Sequence, residues 1–142
     1  MANVIPYAFR GELFSGTHDF SSGGDSFKIA LYTSNPYDTS STVYVVTNEQ
    51  SSGGGSNYTA GGNALTGNAV VSTGAVATCD FADSTWTSAT ITAAFGTIYN
   101  DDKSDKVCVA LDFGGSKTCT NGTFKISFPD PSTPGNAIIS MA

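Results

Sequence analysis

Apolar and polar residues alternate with period two along this chain, in short runs broken by Gly, Asn, Asp, Ser and Pro, and this pattern constrains the fold more than any other feature. Successive strand side chains point to opposite faces, so such runs build sheets with one buried face. In SFKIALYT (26–33), Phe27, Ile29 and Leu31 share a face and Lys28, Ala30 and Tyr32 take the other. TVYVVT (42–47), ALTGNAVVS (64–72), AVATCDFA (75–82) and SATITAAFGTIYN (88–100) follow. In DKVCVALDFG (105–114), Val107, Val109, Leu111 and Phe113 face one way and Cys108, Ala110 and Asp112 the other. TFKISF (123–128) sets Phe124, Ile126 and Phe128 inward, and NAIISM (136–141) ends the series. About eight closely spaced strands predict an all-β fold, an antiparallel two-sheet β-sandwich of jelly-roll-like type. YAFRGELFSG, with Phe9, Leu13 and Phe14 able to share a face, predicts a short helix that depends on packing against the sheets. No linker or repeat divides the chain, so residues 1–142 read as one domain: an arm or short helix over 1–16 and a sandwich over 17–142.

Composition narrows the function. Charged residues are 13% of the chain, about half the usual share, while 18 serines and 18 threonines supply the polarity. With a net charge of −6 and only Arg10, Lys28, Lys103, Lys106, Lys117 and Lys125 basic, the chain lacks the cationic face that nucleic acid requires. No stretch approaches the roughly 18 apolar residues of a membrane span, and MANVIPYAFRGELFSG lacks the basic and apolar regions of a signal peptide. Cys79, Cys108 and Cys119 are an odd set without C-x-x-C spacing, which predicts folding in a reducing cytosol.

The strongest lead to small-molecule chemistry is TNEQSSGGGSNYTAGGNAL, residues 47–65. A P-loop needs a lysine that reaches the phosphates and a helix whose N-terminus faces them. This stretch has no lysine and leads into a strand, so it predicts a long flexible inter-strand loop, pinned by Tyr58 and returned to the sheet by Gly61-Gly62. His18 is the sole histidine, in a loop reading as solvated, and no Gly-x-Ser-x-Gly elbow accompanies it. Asp101, Asp102 and Asp105 lack the alternation of a calcium loop and predict a solvated hairpin turn, and the four Cys and His residues lack zinc spacing. Asp80, Asp83, Asp112, Glu12 and Glu49 are candidate carboxylates for sugar hydrolysis, with nothing to set two at a defined separation. Trp86 predicts core packing, and Cys108 and Cys119 predict small apolar fillers on strands joined by a hairpin turn at GGSK (114–117). No catalytic residue, cofactor site or metal site emerges, so the expectation is a protein that is not an enzyme.

Four segments taken together carry a resemblance: DSFKIALYTS, VTNEQSSGGGSNYTAGGNALTG, FADSTWTSATITAAFGTIYND and VALDFGGSKTCTNGTFKISFP. The chain resembles, over roughly residues 4–140, a family of small tailed-bacteriophage structural proteins of the capsid-decoration (cement) or head-associated type. The most specific parts are Tyr58-Thr59-Ala60-Gly61-Gly62 and LDFGGSKTCTNGTF. The resemblance implies localisation to the virion after assembly in the host cytoplasm, with the major capsid protein or other virion proteins as partners. A homo-oligomer, by analogy a trimer, is expected. Val4, Ile5, Tyr7 and Phe9 of the arm, with Tyr58, are the candidate interaction residues, the arm either packing under the sandwich or binding the capsid. A neck or tail component, or a glycan- or receptor-binding sandwich, is the alternative.

Overall fold

The strands arrange as two antiparallel sheets in a computed structural model that describes residues 2–142, apart from the side chain of Pro134. After helix α1 (Tyr7–Phe14) come β1 (Phe27–Tyr32), β2 (Asn63–Ala64), β3 (Ala69–Thr73), β4 (Val76–Asp80), β5 (Ser84–Asn100), β6 (Lys106–Ile126) and β7 (Ile139–Met141). One sheet has the order β2-β1-β5-β6 and the other β3-β4-β7, which is the all-β two-sheet sandwich that alternation predicts.

Two of the predicted runs join into one strand. The DKVCVALDFG and TFKISF runs are the two ends of β6, and the expected GGSK hairpin is a bulge inside it. Ala93 pairs with Lys117 and Phe95 with Asp112, so Ala94 alone faces Phe113, Gly114, Gly115 and Ser116. Gly114 and Gly115 take φ of 70° and 121°, which glycine alone adopts without strain. The true turn between β5 and β6 is the 3₁₀ turn Asp101–Lys103, where the Asn100 side chain caps Asp102 N–H and Ser104 and Asp105 are left-handed. The YNDDKSD segment is thus a hairpin turn.

Eleven residues of extended strand span about 36 Å, yet the rings of Phe113 and Phe124 are 6.5 Å apart. The β5–β6 ribbon is therefore sharply coiled, bent at its bulges, and its concave side closes on the core. Phe27, Ile29, Leu31, Ile91, Ile98, Val109 and Trp86 form that core with Phe9 and Phe20 from the α1 region.

Tertiary packing changes two face assignments. The shift between Ile98↔Val109 and Tyr99↔Val107 leaves Cys108 as an extra residue. Cys108 and Val109 consequently both serve the main core, while Val107 turns to a second cluster with Ala30, Tyr32, Tyr37, Tyr99 and Ala110. β1 is thereby buried on both faces, unlike the half-exposed strand its Lys28 suggests. TVYVVT forms no strand. It touches the sheet through the single bridge Val43↔Lys106, stacks Tyr44 on Tyr99 at 4.7 Å, and turns away at left-handed Asn48. Tyr44 and Val45 cover the second cluster instead of extending the ladder, while Val43 and Val46 stay exposed.

Candidate functional site

The glycine-rich stretch is a strap laid along the edge of β5. β1 pairs with β5 only over Phe95–Asn100, leaving the Ser84–Ala94 half without a strand on that side. The strap supplies the missing partners. Thr92 N–H donates to Gln50 Oε1 (3.0 Å), Thr90 N–H donates to Ser56 O (3.0 Å), and Asn57 Nδ2 donates to Thr87 O (2.6 Å). Asn63 Nδ2 donates to Thr85 O at 3.2 Å. Three side-chain amides and one backbone carbonyl thus stand in for a neighbouring strand, which blunts an edge that would otherwise invite aggregation.

Glu49 anchors this strap. Its Oε1 accepts from Tyr58 Oη and from Gly61 N–H, each at 2.7 Å, and its Oε2 accepts from Tyr44 Oη. Tyr58 Oη in turn accepts from Leu31 N–H at 3.0 Å, and Tyr99 Oη donates to Gly61 O at 2.7 Å. Tyr32 and Tyr37 share a 2.8 Å hydroxyl contact beside them, and Tyr32 donates to Val45 O. The expected flexible loop is therefore a fixed one. Tyr58 pins it as predicted, but at 2% exposure it meets Trp86 and not a partner protein.

Burial pushes the hydroxyls of Tyr32, Tyr37, Tyr44, Tyr58 and Tyr99 upward, and the Glu49 carboxylate adds to the rise in each. A pKa raised in the folded state gives stability that is whole below the unfolded tyrosine value and fades above it. Denaturant midpoints are expected to hold level to about pH 9 and to fall above about pH 10. Phenolate absorbance of these five rings is expected to rise together with unfolding. Ionisation of the five while the fold persists would contradict this.

The second polar centre surrounds His18, which is buried and not solvated as a loop histidine was expected to be. Asn100 Oδ1 accepts from Asp102 N–H while its Nδ2 donates to Asp25 Oδ2, so a donor faces His18 Nδ1 at 2.9 Å. The ring therefore carries its proton on Nε2, which meets Glu12 Oε2 at 2.8 Å. Lys106 Nζ donates to Glu12 Oε1, and Lys103 approaches Asp25 Oδ1 at 3.3 Å. Partial burial raises the Glu12 carboxyl, but the hydrogen bonds from Lys106 and His18 and the charge of Lys106 outweigh it and hold the group below the usual carboxylate range. A carboxylate–histidine pair is half of a general-base arrangement. Here both ring nitrogens are engaged and the side chain has no exposed surface, so the network ties α1 to the β5–β6 turn and presents no base to a substrate.

The remaining sequence candidates are dispersed. Glu12 belongs to the His18 network, Glu49 to the strap, and Asp83 pairs with Lys125 at 2.7 Å, three separate surroundings for three carboxylates. Asp80 ends β4, and Asp112 accepts from Gly114 N–H inside the β6 bulge. Trp86 is 4% exposed, between Tyr58 and Phe124. Cys119 opposes Ile91 and Cys108 lies near the far end of the same strand, so the two are not neighbours across a turn. Among the described residues no three Cys, His, Asp or Glu side chains converge as metal ligands, and no helix is long and apolar enough to cross a membrane.

No protein-family model, curated protein or solved structure matches this chain. The remaining lead is the surface of the arm and α1. Val4 pairs with Ala110 through reciprocal backbone hydrogen bonds of 2.8 and 2.9 Å, Ile5 packs against the core, and Phe9 is 1% exposed beneath the helix. These three pack under the sandwich, and Phe9, like Tyr58, offers a partner nothing. Tyr7 differs at 63% exposure, as does Phe14 at 86%. Seven residues apart, the two fall on one side of a helix, with Gly11 between them and Arg10 over the Tyr7 ring. Phe14, expected to help bury the helix, is the site residue that sequence reasoning missed, because a pattern shared by Phe9, Leu13 and Phe14 does not say which ring turns outward.

Proposed function

We propose that this chain is a tailed-bacteriophage virion structural protein of the capsid-decoration type, binding the major capsid protein in many copies. The observation that carries the reading is the outward aromatic face of α1. Tyr7 and Phe14 are exposed on a helix locked from below by Phe9 and the His18 network. Rigid exposed aromatics bind at small entropic cost, and a repeated array multiplies a modest contact. The resemblance to head-associated proteins, most specific over 58–62 and 111–124, supports the same reading, as does a polar surface built from hydroxyls more than from charges.

Deleting residues 2–9 would remove Phe9 and break the fold, so point variants make the sharper test. Tyr7→Ser with Phe14→Ser is expected to leave stability within about 0.5 kcal/mol. The same pair is expected to weaken binding to particles by roughly 30- to 1,000-fold, since each of the two anchors contributes on the order of 2 kcal/mol and their losses need not add in full. Co-sedimentation of purified chain with particles lacking it reads this directly. Quantitative mass spectrometry of complete particles then locates the protein: hundreds of copies mean the head, and multiples of about three to twelve mean a neck or tail position. Absence from particles would overturn the reading.

A further inference from the structure

One flank of the core opens as a groove. Between the concave side of β6 and residues 136–138 ahead of β7 runs a groove of about 610 Å³. Its walls include Leu111, Phe113, Phe124, Ile126, Phe128 and Ile138. All but Phe124, itself a core residue, are partly buried and packed against the core, so the walls are already formed. Small-molecule sites have this character: about 300–1,000 Å³, mostly apolar, with a few placed polar groups.

Charge at the rim selects the occupant. The chain carries a net charge of −6 and six basic residues, yet Lys117 and Lys125 both line this groove. Lys125 meets Asp83, whereas Lys117 has no ion pair among the described residues. An ammonium without a partner beside three phenylalanines favours an apolar body that ends in an anion.

We propose that this groove binds a small amphipathic carboxylate, an alkyl or aryl chain lying against Phe113, Phe124 and Phe128 with its carboxylate at Lys117. The site stands whether or not the virion role does. Cys119 also lines the groove and is the only one of the three cysteines not buried, so its reactivity reports occupancy.

The experiment uses the full chain and decanoate below its micelle concentration, with decyltrimethylammonium as the cation control. Decanoate is expected to slow maleimide labelling of Cys119 by about tenfold at saturation, while the ammonium leaves the rate unchanged. Lys117→Glu is expected to weaken decanoate by about tenfold, the effect of 1.4 kcal/mol, without lowering the melting temperature. Ile138→Trp, which fills the groove, is expected to abolish protection. If Lys117→Glu or Ile138→Trp alters the fold, displacement of anilinonaphthalene sulfonate from the unaltered chain by decanoate, and not by the ammonium, serves as the readout. Equal protection by both amphiphiles, or none by decanoate, overturns the proposal.

Discussion

Replacing Gly62 with alanine is expected to destabilise the protein by about 4 kcal/mol or more, or to prevent soluble expression. A Cβ built at Gly62 lies 1.8 Å from the carbonyl oxygen of Ile29 and 2.7 Å from Cα of Ala30, both backbone atoms of the central strand β1. Those atoms have no rotamer with which to yield. The residue also sits at φ +78°, where any L side chain adds strain. The strap must pass this close because Gly62 leads directly into β2, whose Asn63 opposes Ile29. Gly11→Ala is the control. Nothing lies within 4 Å of a Cβ there and the backbone is helical, so alanine is expected to stabilise by about 0.5–1 kcal/mol. Thermal melts of the two variants should move in opposite directions. A Gly62→Ala protein melting within a few degrees of the parent would show that the strap is not packed as described.

Glu49→Ala is expected to cost about 3 kcal/mol, read from urea midpoints at pH 7. Truncation leaves Gly61 N–H and two tyrosine hydroxyls without their shared acceptor. A hydrogen bond to a charged group contributes about 1.5–3 kcal/mol, and a stranded buried donor adds its desolvation. The three bonds share one residue, so their losses do not sum. Glu49→Gln keeps the Oε1 acceptor for Tyr58 and Gly61 but gives up the charge, and is expected to recover about half of the loss. Equal destabilisation by alanine and glutamine would mean that charge, and not the acceptor at Oε1, fixes the strap. No destabilisation in either would remove Glu49 from its anchoring role.

Much of the fold was legible in the sequence because apolar alternation is a local signal of burial. β1, β4, β5 and both ends of β6 follow from it. What it does not carry is parity across a bulge. One extra residue at Cys108 transfers Val107 from the main core to the tyrosine cluster, and the step costs nothing visible in composition. Gly114-Gly115 reads as a turn because positive φ is what turns and bulges share. TVYVVT reads as a strand because Val and Tyr favour any half-buried extended backbone, whether or not a ladder partner exists. The polar centres were the least legible. Glu49 meets Tyr58 and Gly61, nine and twelve residues away, and His18 meets Asn100 across 82 residues. Such contacts exist only after the chain closes, so the residues look unremarkable in isolation. The exposed side of α1 is half legible: the sequence marks Tyr7 as an interaction residue, but its periodicity groups Phe14 with the buried face.

The coiled β5–β6 ribbon has a further consequence, for how the molecule comes apart. Its two strands are joined by the short turn around Asp101–Lys103, so their pairing is the least costly to establish in chain entropy, and it gives the rest of the molecule a surface to assemble on. β1 and the strap attach to that ribbon along one flank, and α1 reaches it through Lys106. These parts are therefore bound into a single cooperative unit. The β3-β4-β7 sheet shares no ladder with it and holds on through core side chains and bonds such as Asn68 Nδ2 to Asp25 O, from the residue before β3 to the segment before β1. Amide protection in native-state hydrogen exchange should accordingly be graded: deepest along Phe95–Asn100, and first lost in the three short strands, whose opening leaves the ribbon intact.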